Sequence, residues 1–248
     1  MTDSDERRAA TLTAWTNFMT EQGVANSTAP ELEPVTATIR SLPPVSSTSL
    51  HLPKVGDGAT MNEEETRESL RRFITSITPL IGAEPQQLSL VQRTDLADGT
   101  RQARYEQRPF RYPLRGDYGV LEITFAPDRR VLQVTSTCIP EVEQLQRAGA
   151  GIRPKLTAEQ VASQIAGKTF TYTDGAGHQQ TFTVGGGEEI AVRELVIYPV
   201  PRASDPAVLE FHLAWEIAVG SGANQTIIYL DAVKDKPEEV IAVKQNSR

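Results

Sequence analysis

The chain of 248 residues carries a formal net charge of -7 and has an isoelectric point near 5.1. Its length accommodates one or two domains with their own cores, and its acidic balance argues against a nucleic-acid partner, because the summed field repels phosphate groups. The mean hydropathy is -0.34, and no apolar run approaches the ~18 residues that span a bilayer. The sequence therefore predicts no membrane span.

The only cysteine in the sequence is Cys138. A single thiol excludes an intrachain disulfide and a structural zinc site built on several thiolates. The N-terminal residues lack the basic start and the unbroken apolar run of a secretory signal, since Thr11, Thr13 and Thr16 interrupt them. Either the protein is intracellular or a signal has been removed, so its localisation stays open.

Residues 3–22 have the pattern of an amphipathic helix. Asp3 and Glu6 offer a capping box. Three apolar residues share one face of the helix: Leu12, Trp15 and Met19. In one interpretation this helix packs on the body of the protein. In the other it is tethered by a linker and binds a partner, with Trp15 as a contact residue.

The following stretch, residues 24–60, is rich in Ser, Thr and Pro. This composition predicts an extended linker with few apolar anchors. Leu50, Leu52 and Val55 are candidates for a position along a sheet edge.

From Asn62 onward the sequence predicts a helix and then an antiparallel meander. Asn62 and Glu65 form a capping box, and Pro79 should end or kink the helix. Turns at Asp98-Gly99 and Pro127-Asp128 join two pairs of strands. The predicted strands are Leu88 to Thr94, Arg101 to Gln107, Val120 to Phe125 and Val131 to Thr135.

A second helix-plus-sheet pattern begins near Leu156, where Thr157 and Gln160 form a capping box for a short helix that ends at Gly167. Two predicted hairpins and two single strands follow, and the last hairpin alternates apolar residues, among them Trp215, at period two. The predicted segments are Phe170 to Thr173 with Thr181 to Val184, Leu195 to Pro199, Leu209 to Val219 with Ile227 to Ala232, and a final strand from Glu239 to Val243.

Three parts of the sequence resemble the propeptides of secreted thermolysin-like metalloproteases. Leu213 to Ile217 with Tyr229 to Ala232 resembles the last hairpin of a PepSY domain, and the helix opened by Leu156-Thr157-Ala158-Glu159 resembles the first helix of that module. Residues 99–136 resemble the fungalysin/thermolysin propeptide (FTP) domain. The resemblance covers about residues 62–248. It implies a propeptide that helps the protease to fold and inhibits it, here without the catalytic domain.

The sequence predicts no catalytic residue, no cofactor and no metal site. His51, His178 and His212 lack the helical spacing, with a glutamate between, that a thermolysin-like zinc site needs. Cys138 precedes Ile139-Pro140 and fits a buried, inert thiol. The Gly185-Gly186-Gly187 run is a loop without the Lys-Ser/Thr ending of a phosphate-binding loop.

Five arginines lie close together in the sequence and are interleaved with Tyr105, Phe110 and Tyr112. They are Arg101, Arg104, Arg108, Arg111 and Arg115. Guanidinium groups among aromatic rings can recognise an acidic or aromatic protein surface. The alternative is a solvated strand face and loop whose arginines pair with nearby acids.

These patterns predict an α+β protein of two consecutive helix-plus-antiparallel-sheet modules of PepSY/cystatin-like type, preceded by an amphipathic helix and linker. The predicted parts are residues 1–60, an FTP-like module at 61–150 and a PepSY-like module at 151–248. The leading hypothesis is a non-enzymatic binding protein that inhibits, or assists the folding of, a separately encoded metalloprotease. The second hypothesis is a scaffold module without a protease partner, docking to an assembly through its N-terminal helix and linker.

Overall fold

The structure is a computed structural model that describes residues 1–24, 27–43, 50–58, 60–108, 110–174, 178–202, 204–222, 225–234 and 240–245. The chain divides into two compact units: unit 1 comprises residues 1–109 and 117–142, and unit 2 comprises residues 110–116 and 143–248. Each unit combines helix with a four-stranded antiparallel sheet. The predicted α+β class with two helix-plus-sheet modules is confirmed, whereas the domain boundaries near residues 60 and 150 stay predictions.

Unit 1 is a meander preceded by helices. Its helices are α1 (Asp5–Glu21), α2 (Glu63–Ser76) and α3 (Thr78–Ile81), and its strands are β1 (Glu31–Leu32), β2 (Ile39–Ser41), β3 (Leu88–Asp95), β4 (Arg101–Gln107), β5 (Val120–Phe125) and β6 (Val131–Ser136). The sheet has the order β3-β4-β5-β6, and β1 pairs with β2. The observed ends of the four long strands agree with the predicted ends to within one residue.

Helix α2 begins where the sequence predicts. The Asn62 side chain accepts from Glu65 N at 2.9 Å, and the Glu65 carboxylate accepts from Asn62 N at 2.8 Å, which confirms the capping box. Leu70 and Phe73 are at most 2% exposed and lie in the core of unit 1. Pro79 ends α2 as predicted, since it stands at the start of the separate helix α3.

Helix α1 differs from the prediction at its N-terminus. The N-cap is Ser4, whose Oγ accepts from Arg7 N at 3.2 Å, so the predicted capping box of Asp3 and Glu6 is wrong. Asp and Ser are both good N-caps, and sequence pattern alone does not choose between neighbours. The helix is docked rather than tethered: Trp15 is 2% exposed, and its Nε1 donates to Thr28 O at 3.0 Å.

The described residues between α1 and α2 supply apolar anchors to unit 1, which corrects the expectation of an extended linker with few of them. Four of these anchors are at most 4% exposed: Val35, Ile39, Leu50 and Leu52. Leu52 N donates to Arg129 O, and Val131 N donates to Leu50 O, each at 2.8 Å, so Leu50 and Leu52 lie along a sheet edge as predicted. The composition of a segment does not reveal such anchors, because a few fully buried side chains are enough to attach the segment to a core. Pro44 lies outside the described residues.

Unit 2 combines a short helix, a small hairpin and a second sheet. Its elements are α5 (Ala158–Ile165), β7 (Thr169–Thr173), β8 (Gln179–Thr183), β9 (Ile190–Arg202), β10 (Asp205–Val219), β11 (Thr226–Asp231) and β12 (Val240–Gln245), while α4 (Val142–Gly149) precedes them. The sheet has the order β12-β11-β10-β9, and β7 pairs with β8. The predicted last hairpin is confirmed as β10 and β11. The strand predicted at Leu195 to Pro199 is part of the longer β9. Glu239, at the start of the predicted final strand, lies outside the described residues, and so do the turns at 175–177 and 235–237.

The central strand β10 is covered on both faces. On one face, Ile217 packs with Val161 and Ile165 of α5, and the partly buried Trp215 packs against the same cluster. On the other face, Ala214 and Glu216 are 0% and 6% exposed. The period-two pattern identified only the first of these faces. Within the described ranges, no helix has the length and hydropathy of a membrane span.

Candidate functional site

Glu216 carries the most deeply buried charge among the described residues. Its Oε2 accepts hydrogen bonds from Arg115 Nε at 2.9 Å and from the Tyr229 hydroxyl at 3.3 Å, and its Oε1 accepts from Arg193 Nη1 at 3.3 Å. Both carboxylate oxygens therefore have cationic partners, as a buried charge requires. We call Glu216, Arg115, Arg193, Tyr229 and Glu194 the Glu216 network.

Arg115 reaches this network from a segment that joins the edge of the sheet. Ile197 N of β9 donates to Pro113 O at 2.8 Å, and Arg115 N donates to Ile197 O at 3.0 Å, so residues 113–115 add a short parallel bridge beside β9. Arg115 Nη2 also contacts Glu194 Oε1 at 2.6 Å. The segment thus covers part of an edge strand that would otherwise offer unpaired backbone groups.

The electrostatics of the Glu216 network favour a structural role over acid-base chemistry. Burial, together with the charge of Glu216, raises the pKa of Tyr229 far above its ordinary value. Burial alone would lower the pKa of Arg115, but its hydrogen bond to Glu216 and the nearby carboxylates raise it instead. A general acid or base needs a pKa near the working pH. The pKa values of Tyr229 and Arg115 are instead raised further above neutral pH.

His212 lies on the same face of the sheet, between two carboxylates. Its Nδ1 is 3.5 Å from Asp231 Oδ2, and its Nε2 is 3.7 Å from Glu210 Oε2. Burial alone would raise the pKa of Asp231, but hydrogen bonds from His212 and from Val233 N hold it below its ordinary value. Asp231 thereby anchors the end of β11, since its Oδ1 accepts from Val233 N at 2.8 Å.

The other side chains considered for chemistry lie apart. Cys138 is 0% exposed, and burial raises the pKa of its thiol to about 12, as expected for an inert thiol. Glu188 accepts from Gly185 N at 2.9 Å and closes the predicted glycine-rich loop. Across the part of the chain that the structure describes, no three His, Cys, Asp or Glu side chains are placed to hold a metal ion.

The structure distributes the five predicted arginines between the two units. Arg101, Arg104 and Arg108 belong to unit 1, and Arg111 and Arg115 belong to unit 2. Four of these arginines form ion pairs with nearby carboxylates. The pairs are Arg101 with Asp95 at 3.4 Å, Arg104 with Glu122, Arg108 with Glu106 at 3.3 Å, and Arg115 with Glu194 and Glu216. Arg111 lies 5.3 Å from the Tyr112 ring centre. Their role in partner binding, and that of the buried Trp15, stays a prediction.

One face of the unit 1 sheet is polar and partly exposed. We call it the outer face, and its members on β4 to β6 are Gln102, Arg104, Glu106, Glu122, Thr124, Gln133 and Thr135. The alternate residues Ala103, Leu121 and Ile123 are 0% exposed and point into the core. Cross-strand pairing sets Arg104 opposite Glu122 and Gln102 opposite Thr124. The outer face therefore presents regularly spaced polar groups on a hydrogen-bonded scaffold.

Sequence reasoning found the arginines but missed the Glu216 network. Arg115 and Glu216 are separated by 101 positions, so no local pattern connects them. The available signal was Glu216 itself, a charged residue between Ala214 and Ala218 on one face of a strand. A lone carboxylate among small apolar residues indicates a buried charge that requires a cationic partner.

Comparisons with known proteins leave the family of the chain undecided. No family model matches the chain, and no curated protein matches it. Among solved structures, the chain is similar to the C-terminal domain of YpeB from Bacillus megaterium, with a TM-score of 0.38 and 10% identity over 99% of each chain.

Proposed function

We propose that this chain is a non-catalytic binding protein that acts on a separately encoded thermolysin-like metalloprotease, either as its inhibitor or as an aid to its folding. The proposal starts from the resemblance of residues 62–248 to FTP and PepSY propeptide sequences. The architecture of each unit, a helix packed on an antiparallel sheet, agrees with it.

The observation that carries the proposal is the outer face of unit 1. Its charged and amide side chains are half-buried and alternate with core residues, so their positions are held by the strands that bear them. A surface of this kind suits a non-obligate protein complex, in which polar and charged groups set specificity and association rate. Arg104 and Glu122, at the centre of the face, are the residues that we expect the protease to contact.

The scaffold hypothesis receives less support from the same structure. The apolar face of α1 is occupied, since Trp15, Phe18 and Met19 lie in the core of unit 1. A partner could use this face only if α1 left the body of the unit. Removing residues 1–60 would therefore unfold unit 1 and would not separate the two hypotheses.

The test measures inhibition and refolding with purified proteins. The full chain is titrated against a panel of mature thermolysin-like proteases, and is also added during refolding of their catalytic domains expressed without propeptides. We expect nanomolar inhibition of a cognate enzyme, or an increased yield of active enzyme. Arg104→Glu should weaken either effect by about tenfold or more, because it reverses a charge at the contact surface.

Arg147→Glu is the matched control, since Arg147 is exposed on α4 in unit 2. Arg104→Glu should lower the thermal midpoint by a few degrees at most, because it removes a partly exposed ion pair worth at most about 1 kcal/mol and sets a second carboxylate opposite Glu122. The proposal fails if the wild type neither inhibits nor assists any protease of the panel. If Arg104→Glu and Arg147→Glu behave alike, the outer face is not the contact surface.

A further inference from the structure

Strand β3 forms one edge of the unit 1 sheet and pairs with β4 on its inner side. Among the described residues, no backbone hydrogen bond from outside this hairpin reaches Leu88–Asp95. Two large apolar side chains, Val91 and Leu96, are 39% and 40% exposed on the strand and the adjoining turn. An edge with open backbone groups and exposed apolar side chains is competent to pair with another strand.

The hydrogen bonds of the hairpin show which residues of β3 point outward. Leu96 N donates to Thr100 O of the hairpin at 2.8 Å. Because inward and outward residues alternate along an antiparallel strand, Thr94 also directs its backbone groups to β4, whereas Arg93 and Asp95 direct theirs outward. The bulge between Leu90 and Gln92 lies upstream and does not disturb this alternation.

We propose that β3 pairs antiparallel with β3 of a second copy of this chain, about a two-fold axis through Thr94. In this register Arg93 lies directly opposite the partner's Asp95, and each such pair exchanges two backbone hydrogen bonds. The symmetric interface contains this pair twice. Pairing of the two β3 strands would join the two unit 1 sheets into a single sheet that continues across both molecules.

Charge selects this register over its neighbours. A pairing of Arg93 with Arg93, or of Asp95 with Asp95, sets like charges opposite each other and is destabilising, whereas Arg93 opposite Asp95 is stabilising. Among the described residues, the ion-pair partners of both lie at the surface: Glu63 is 3.7 Å from Arg93, and Arg101 is 3.4 Å from Asp95. Such exposed pairs are weak and give way readily to new ones.

The same register also brings an exposed apolar side chain to the interface. Leu96 falls opposite the partner's Gln92, beside the pair of Asp95 with the partner's Arg93, and loses part of its contact with water. Pairing of one short strand buries less than the ~800 Å² per partner of a standard interface. The dimer should therefore be weak and reversible, with a dissociation constant in the micromolar range.

Sedimentation velocity over a wide range of concentration tests the proposal. The wild type should form a reversible dimer, and Arg93→Asp and Asp95→Arg should each raise the dissociation constant by about tenfold or more, because each sets like charges opposite one another twice. The double variant Arg93→Asp/Asp95→Arg should recover the dimer. A mixture of the two single variants should form a heterodimer, since both facing pairs then have opposite charges. Arg147→Asp, an equal change of charge in unit 2, is the control.

A disulfide trap provides an independent second variant. Residues at position 94 would face each other as a non-hydrogen-bonded pair with Cα atoms about 4.5 Å apart, within the range of a disulfide. Thr94→Cys should therefore form a covalent dimer on mild oxidation, while the native Cys138 is 0% exposed and stays reduced. A wild type that stays monomeric at its highest soluble concentration overturns the proposal and leaves this edge for an extended segment of another protein. A dimer that is indifferent to both charge reversals, and that Thr94→Cys does not trap, overturns it as well.

Discussion

Replacing Arg115 with methionine should destabilise unit 2 by about 2–3 kcal/mol. The substitution keeps an unbranched apolar stem but removes the guanidinium that donates to Glu216 at 2.9 Å and to Glu194 at 2.6 Å. Segment 110–116 keeps its backbone hydrogen bonds to Ile197. The decrease in the free energy of unfolding therefore measures the loss of the ion pairs of Arg115.

The magnitude follows from the burial of each partner. Removing one member of a fully buried ion pair costs about 3–5 kcal/mol, because the other charge is left uncompensated. The loss should be smaller here, since Arg193 and Tyr229 still donate to Glu216 and the Arg115 side chain is 32% exposed. The Glu194 side chain is 44% exposed, so Glu194→Gln should cost less than about 1 kcal/mol. Adding Glu216→Leu to Arg115→Met should recover part of the loss, because no buried carboxylate then remains.

Urea unfolding followed by tryptophan fluorescence gives the required free energies. The chain has two tryptophans, Trp15 in unit 1 and Trp215 in unit 2. In a Trp15→Phe background, the signal reports on the strand that carries Glu216. All variants are compared in that background.

Two outcomes would contradict the reasoning about the Glu216 network. One is a loss for Arg115→Met that matches the loss for Glu194→Gln, since the buried carboxylate would then contribute nothing. The other is a double variant that is less stable than Arg115→Met, since the remaining carboxylate would then not be the source of the penalty.

Three further predictions concern unit 1. Asn62→Ala should lower the free energy of unfolding by about 1 kcal/mol through loss of the α2 cap, and an unchanged value would refute the capping role. Gly82 and Gly23 both have φ of +74°, but a Cβ at Gly82 would lie 2.7 Å from Thr38 Cγ2, so Gly82→Ala should lower the thermal midpoint more than Gly23→Ala. Burial raises the pKa of Cys138 from 9.0 to about 12, so its contribution to stability is complete below pH 9.0 and is lost as the pH rises toward 12. The urea midpoint of the wild type should fall more steeply over that interval than that of Cys138→Ala, and equal slopes would contradict this.

Local features of the protein could be predicted well from the sequence. The capping boxes at Asn62 and Thr157 involve residues three positions apart, so their hydrogen bonds depend on one turn of chain. Strand β4 and the last hairpin also followed from the alternation of neighbouring residues. The N-cap of α1 was predicted one residue too early, because Asp3 and Ser4 are both suitable and packing makes the choice.

The candidate site depended on contacts that are distant in sequence. Proximity in the chain grouped Arg104 with Arg115, yet the structure places Arg104 on the outer face of unit 1 and Arg115 beside β9 in unit 2. The sequence by itself determined the positions of α1, α2, α5 and the strands of both four-stranded sheets, and an apolar face of each, because these are properties of short windows; β1, β2 and α4 were not predicted. Only the tertiary structure decided that β10 is buried on both faces and that Glu216 meets Arg115, because a buried charge and its partner are brought together by the fold of the whole unit.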